Sequence, residues 1–264
     1  MSGKPITLYD DGHHKCLMFG DLVTGDGIQS NQFLIIHGKR SALIDPGGDL
    51  TYMPLTLAAS RHIKLKQLDY VLASHQDPDI IAALDRWLLN TNAQVVVSEL
   101  WSRFLPHLSS SFLKSNMGVD PYQRMITLPD RGMDIPFGDT VIKAIPAHFL
   151  HSVGNFQFYD PVSKILFSGD MGASVAELTL GEPVSDFRAH IPHMEGFHRR
   201  YMCSRKVCAL WANMVRELDI DMLVPQHGGH FQGSESIESF LDWISQLDCG
   251  VDLMTQQNYL IPHA

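Results

Sequence analysis

The sequence predicts a single α/β domain. Short apolar strands alternate with amphipathic helices, no linker or repeat interrupts them, and four strands end in clusters of histidine and aspartate. The 264 residues suit one domain with a large core, since 45% are apolar and only 19% charged. Phe33–Ile36 and Ser41–Ile44 flank His37-Gly38-Lys39-Arg40 and read as a hairpin. Further strands are expected at 70–73, 94–97, 140–145, 156–159, 165–167 and 221–224. Helical spacing appears at Ile80, Ile81, Leu84, Trp87 and Leu88. It recurs at Val207, Leu210, Trp211, Met214 and Leu218, and at Ile237, Phe240, Leu241 and Ile244. Phe19, Trp87, Trp101, Phe104, Phe112, Trp211 and Trp243 are expected in the core.

A net charge of −9 argues against nucleic acid or an anionic membrane surface as partner. The N-terminus lacks an apolar stretch of signal-peptide length, and no run approaches the roughly 20 apolar residues of a membrane helix, so cytoplasm is expected. Cys16, Cys203, Cys208 and Cys249 form no CxxC and read as reduced thiols. Gly25-Asp26-Gly27 precedes a strand and is no dinucleotide fingerprint.

The strand ends carry the chemistry. The four segments are Ser74-His75-Gln76-Asp77-Pro78-Asp79, His148-Phe149-Leu150-His151, Ser168-Gly169-Asp170 and Gln226-His227-Gly228-Gly229. Strand ends are where an α/β sheet presents ligands to a cleft. Histidine and carboxylate bind first-row metals without sulfur. Asp77-Pro78 also reads as a helix start, with Asp77 as N-cap and Asp79 beside the helix dipole. That reading leaves His75 and the other three clusters unexplained.

The order of Ile44-Asp45-Pro46-Gly47-Gly48, the 74–79 segment, a His-bearing loop, Ser168–Asp170 and Gln226–Gly229 resembles the metallo-β-lactamase superfamily over nearly the whole chain. The resemblance implies a four-layer αβ/βα sandwich spanning 1–264, with a two-metal site. The usual first ligand segment, H-x-H-x-D-H, is altered twice here: Asp77 stands at the second His and Ile80 at the last. A carboxylate at the former position resembles the di-iron domain of flavodiiron proteins. The whole segment also resembles the oxygen-binding di-iron proteins, which lack a flavodoxin domain. Neither that domain nor FMN is therefore expected.

By this resemblance His75, Asp77 and His151 hold one metal, Asp79 and His227 the other, and Asp170 bridges. His148 competes with His151. The spacing to Asp170 and the His151-Ser152-Val153-Gly154 turn favour His151, which leaves His148 beside the site. Asp45 is expected to orient the ligand loops by hydrogen bonds. Tyr201 has two readings, a pocket residue or a partly buried core tyrosine, the second preferred. His190, His193 and His198 are expected at the surface.

Three histidines and three carboxylates form a hard donor set that suits two iron ions in their +2 and +3 states. Site two, short of one His, leaves room for O2 or NO. The expected function is a dioxygen-binding sensor or carrier. An O2 or NO reductase fed by a separate redox protein and a zinc hydrolase of the same fold are the alternatives, the former making the chain an oxidoreductase. The sensor reading carries a signalling partner. Dimerisation is left open, since the flavin contact that pairs flavodiiron subunits is not expected.

Overall fold

A computed structural model describes residues 4–104, 121–175 and 181–262. Sheet one holds seven strands in chain order: β1 (Ile6–Asp10), β2 (His14–Phe19), β3 (Gln32–His37), β4 (Arg40–Ile44), β5 (Tyr70–Leu72), β6 (Gln94–Ser98) and β7 (Met125–Leu128). The first four pair antiparallel and the last four parallel. Sheet two holds six strands: β8 (Met133–Phe137), β9 (Thr140–Pro146), β10 (Phe156–Asp160), β11 (Ile165–Phe167), β12 (Met222–Val224) and β13 (Phe231–Gln232). Only β11 and β12 pair parallel in this sheet.

Seven α-helices are described: α1 (Asp49–Ala59), α2 (Pro78–Ile81), α3 (Leu84–Asn90), α4 (Glu99–Ser102), α5 (Phe187–Tyr201), α6 (Arg205–Val215) and α7 (Ser234–Gln246).

Strand side chains alternate between faces, so a strand covered on both sides must be apolar throughout. Phe33 and Ile35 of β3 face inward and meet Phe156, Phe158 and Phe167 of sheet two in the central core. Leu34 faces outward into a second core with Leu55 of α1 and Trp87 of α3. Leu166 and Leu223 of sheet two face a third core with Met194, Trp211 and Phe240 of α5, α6 and α7. The result is four layers, helices on sheet on sheet on helices, as the metallo-β-lactamase resemblance implied.

The hairpin and the six further strands form where expected. The 80–88 helical face is two helices instead. The chain breaks at Ala82-Ala83, where the Ala83 N–H bonds Gly47 O (3.0 Å) in place of extending one helix. Phe104 is exposed, against the core expectation, while Phe112 lies outside the described residues. No helix among the described residues is long and apolar enough to cross a membrane.

The strands place four loops at one edge. β5 delivers Ser74 onward, β9 delivers Ala147 onward, β11 delivers Ser168 onward, and β12 delivers Pro225 onward. Two backbone hydrogen bonds join the sheets there: Asn31 N–H to Gln226 O (2.6 Å) and Phe156 N–H to Ser74 O (3.0 Å).

Candidate metal centre

His75, Asp77, Asp79, His151, Asp170 and His227 converge at that edge. Asp170 is buried at the centre. Its Oδ2 lies 2.9 Å from His151 Nε2 and 3.6 Å from His75 Nε2, while Asp77 Oδ2 lies 3.3 Å from His151 Nε2. Its Oδ1 lies 3.5 Å from His227 Nε2, which is itself 3.5 Å from Asp79 Oδ2. The two oxygens of one carboxylate thus face two separate donor groups. Adjacent ligands on an ion with bonds of about 2.1 Å sit about 3 Å apart, so these separations are those of ligands around metal ions.

Unmet valence tests the fit. His75 Nε2 and Asp170 Oδ1 are buried and have no hydrogen-bond partner. Such atoms are costly unless something else satisfies them, and a cation between them does. His14, Cys16 and Asp160 also cluster, at the far end of the sandwich. There every polar atom is satisfied: His14 Nε2 meets Asp160 Oδ2 at 2.7 Å, and the Ser163 hydroxyl donates to the same oxygen. Hydrogen bonds within the protein satisfy that cluster, and the one at the strand ends fits a metal pair.

The imidazoles are aimed. His75 Nδ1–H donates to Ser74 Oγ (2.9 Å) and His227 Nδ1–H to Gln29 O (2.7 Å), which leaves each Nε2 lone pair facing the cleft. Asp77 is the N-cap residue of α2 with Pro78 at the first position, yet its carboxylate makes no capping bond and turns to His151. Position serves the helix and the side chain serves the cleft. Gly228, at φ +81, follows His227 because a Cβ there would collide with the Ser174 side chain.

Asp45 is buried with φ +56, a left-handed conformation. Its Oδ1 accepts from Ser74 N–H (2.9 Å) and its Oδ2 from the Gln226 side chain, which also donates to Ser74 Oγ (3.1 Å). One carboxylate therefore ties the loop of His75 to the loop of His227. Burial pushes Asp45 up to about 7, against those hydrogen bonds. Burial also opposes charge on Asp170, but the His151 hydrogen bond and the fields of His75 and His227 hold it down at about 2. Burial opposes the proton on His151, and its bonds to Asp170 and Asp77 outweigh that, raising it to about 10. Without a metal, those bonds favour a proton on His151.

His148 faces elsewhere, with Nε2 2.7 Å from Asp130 O and its ring against Phe156. Tyr201 corrects the preferred expectation: it is 54% exposed, its ring lies 5.6 Å from that of His151, and it stacks on Phe197 at the wall of a cavity of about 550 Å³. His190 and His198 are buried, not at the surface. Ser74, Gln226, Gln29 and Phe197 were not singled out in the sequence. Ser74 and Gln226 each precede a ligand within a quoted motif, which was the only available signal.

The layers and the His/Asp centre define a metallo-β-lactamase-fold protein with a carboxylate-rich two-metal site. Residues 28–228 match the model of the family described as ODP family beta lactamase, and the chain belongs to that family. A solved structure titled a peroxy diiron species of the chemotaxis sensor ODP is 39% identical, with a TM-score of 0.83, and the match covers 97% of this chain and 100% of that one. The apo state of the chemotaxis sensor ODP from T. denticola is 39% identical at a TM-score of 0.81, covering 97% and 99%. A flavo di-iron protein from Thermotoga maritima shares the fold at 19% identity and a TM-score of 0.73, over 93% of this chain and 61% of that one. An uncharacterized protein of Methanocaldococcus jannaschii is 27% identical over 82% of this chain and 53% of its own length. The chain spans about half the length of the curated relatives it first matches.

Proposed function

We propose that this chain holds two iron ions bridged by Asp170 and binds dioxygen there, as a sensor or carrier. The observation that carries the reading is the division of donors around Asp170, with His75, Asp77 and His151 on its Oδ2 side and Asp79 and His227 on its Oδ1 side. The donor set is hard and suits iron. The likeness to the chemotaxis sensor ODP at 39% identity supports the same metal and gas. When bound, an iron pair supplies open coordination positions and the electrons that a diatomic gas needs.

The chain's own residues do the rest. His75 and His227 present Nε2 because Ser74 and Gln29 hold their other nitrogens. Asp45 and Gln226 fix the two ligand loops to each other. Phe197 and Tyr201 form an aromatic wall beside His151. Ile80 is fully buried in the outer core, which supports a second site with two protein side chains, Asp79 and His227, besides the bridge. A signalling or redox protein would read the gas-bound state.

Anaerobic loading with ferrous iron tests this. The expected result is about two irons per chain and an absorption band that appears on admitting air. A chain that takes up only zinc, with a spectrum indifferent to air, overturns the reading. Fast NADH-linked O2 or NO consumption with an added reductase pair would recast the protein as a gas reductase.

A further inference from the structure

We infer that His198 is a positioning residue for the bridging carboxylate, acting through the backbone of Gly172. The inference rests on the two-metal reading of Asp170 and holds for any divalent ion in the site.

His198 lies on α5 and is fully buried among Phe197, Phe240 and Trp243. Its Nδ1–H donates to Met194 O (2.9 Å), one turn back on the same helix. That bond fixes the tautomer, so Nε2 carries a lone pair, which accepts the Gly172 N–H at 3.0 Å. A buried imidazole is worse than a leucine in such a core unless both nitrogens are used. Both are used here, and the second bond reaches the loop that carries Asp170.

The loop is held at other points too: Ser168 Oγ donates to Met171 O (2.7 Å), the Gln226 N–H to Gly169 O (2.9 Å) and the Val175 N–H to His193 O (3.2 Å). From Met171 to Ser174 the amides of Met171, Ala173 and Ser174 bond the backbone oxygens of Ser168, Asp170 and His227. Gly172 alone sends its N–H to a side chain. Gly172 sits at φ +97, and a Cβ there would come within 2.8 Å of Phe231, so the turn lies against the core with no room for a substitute contact. The same helix faces the other side of the centre, where Phe197 and Tyr201 meet the His151 ring. Helix α5 thus touches one terminal ligand through packing and the segment that follows Asp170 through hydrogen bonds at Gly172 and Val175.

The test compares wild type, His198→Leu and His198→Gln. Leu keeps the packing and removes the acceptor, whereas Gln keeps an amide that can accept from Gly172 and donate to Met194. Metal-stripped chains are titrated with Co(II), and the magnetic coupling of the pair, which passes through the shared carboxylate, is read by EPR at saturation. His198→Leu is expected to bind Co(II) about tenfold to a hundredfold more weakly and to lose coupling, and His198→Gln to recover both. Wild-type affinity and coupling in His198→Leu overturn the inference, as does a Gln variant no better than Leu. If His198→Leu does not fold, His198→Gln decides alone: wild-type coupling supports the inference, and its loss overturns it. A wild-type chain that shows no coupled pair sinks the two-metal reading instead, so the two failures are distinct.

Discussion

Asp45 occupies a backbone conformation that costs most residues roughly 1–2 kcal/mol, and does so while buried. The strain is held because its carboxylate accepts from Ser74 and Gln226 at once. Asparagine tolerates the same backbone, so Asp45→Asn isolates the side-chain bonds: its amide faces donors where an acceptor is needed. Metal affinity should fall about tenfold to a hundredfold, with a loss of about 1–3 kcal/mol in chemical denaturation of the metal-free chain. Unchanged iron binding would show that the loops hold without this tie. The orienting role of Asp45 was readable from its place in the motif, and the six converging residues from four strand ends. The partners Ser74 and Gln226 were not, because their bonds join positions 152 apart in the chain. Nor could spacing alone exclude His148. What removes it is a turn that aims its ring at Asp130 and Phe156.

Elements were legible where burial is two-sided. β6 is apolar from Val95 to Val97 because both faces are covered there, and β10, buried throughout, is aromatic at Phe156, Phe158 and Tyr159. Helix α1 went unseen: Leu50, Met53 and Leu57 are exposed while Leu55 and Ala58 are buried, so no apolar face repeats in the sequence. The break between α2 and α3 was hidden for the opposite reason. Ile80, Ile81, Leu84, Trp87 and Leu88 keep helical spacing, but Gly47 bonds the backbone between the two helices. This arrangement fixes the fate of position 80. Ile80 packs in the outer core, so Ile80→His should bury an unpaired imidazole and lower the metal-free stability by roughly 1–3 kcal/mol, with no fourth histidine gained at the metals. Two metal-bound imidazoles at site two, seen by pulsed EPR, would contradict this.

The hairpin of β1 and β2 was also missed, and it contributes the buried His14 that pairs with Asp160 of β10. Burial raises the Asp160 carboxyl, yet hydrogen bonds from His14 and Ser163 outweigh it and hold the group below its usual range. A depressed carboxyl stabilises above its unfolded pKa of about 3.9 and loses that contribution as pH falls through the folded value. Asp160→Asn should cost about 3–5 kcal/mol at neutral pH, with the gap to wild type narrowing below about pH 4 in denaturation curves. A pH-independent gap would assign the loss to packing.

At the scale of the whole molecule, the centre spans the chain. His75, Asp77 and Asp79 follow sheet one, while His151, Asp170 and His227 follow sheet two. Without metal, three carboxylates and three imidazoles crowd one edge, and His151 is the group that partly neutralises Asp170. A cation pair held by these six residues would replace that proton and join both sheets, which would make metal binding a folding term as well. At a free metal concentration about a thousandfold above Kd the gain is about 4 kcal/mol, which for a chain this size raises Tm by roughly 10 °C. Asp170→Asn should erase most of this increment, because the bridge serves both halves, while moving the metal-free Tm far less. Scanning calorimetry under argon, with and without chelator, reads both quantities. Equal melting of the loaded and stripped wild type would mean that the metals do not bind the folded chain in preference to the unfolded one.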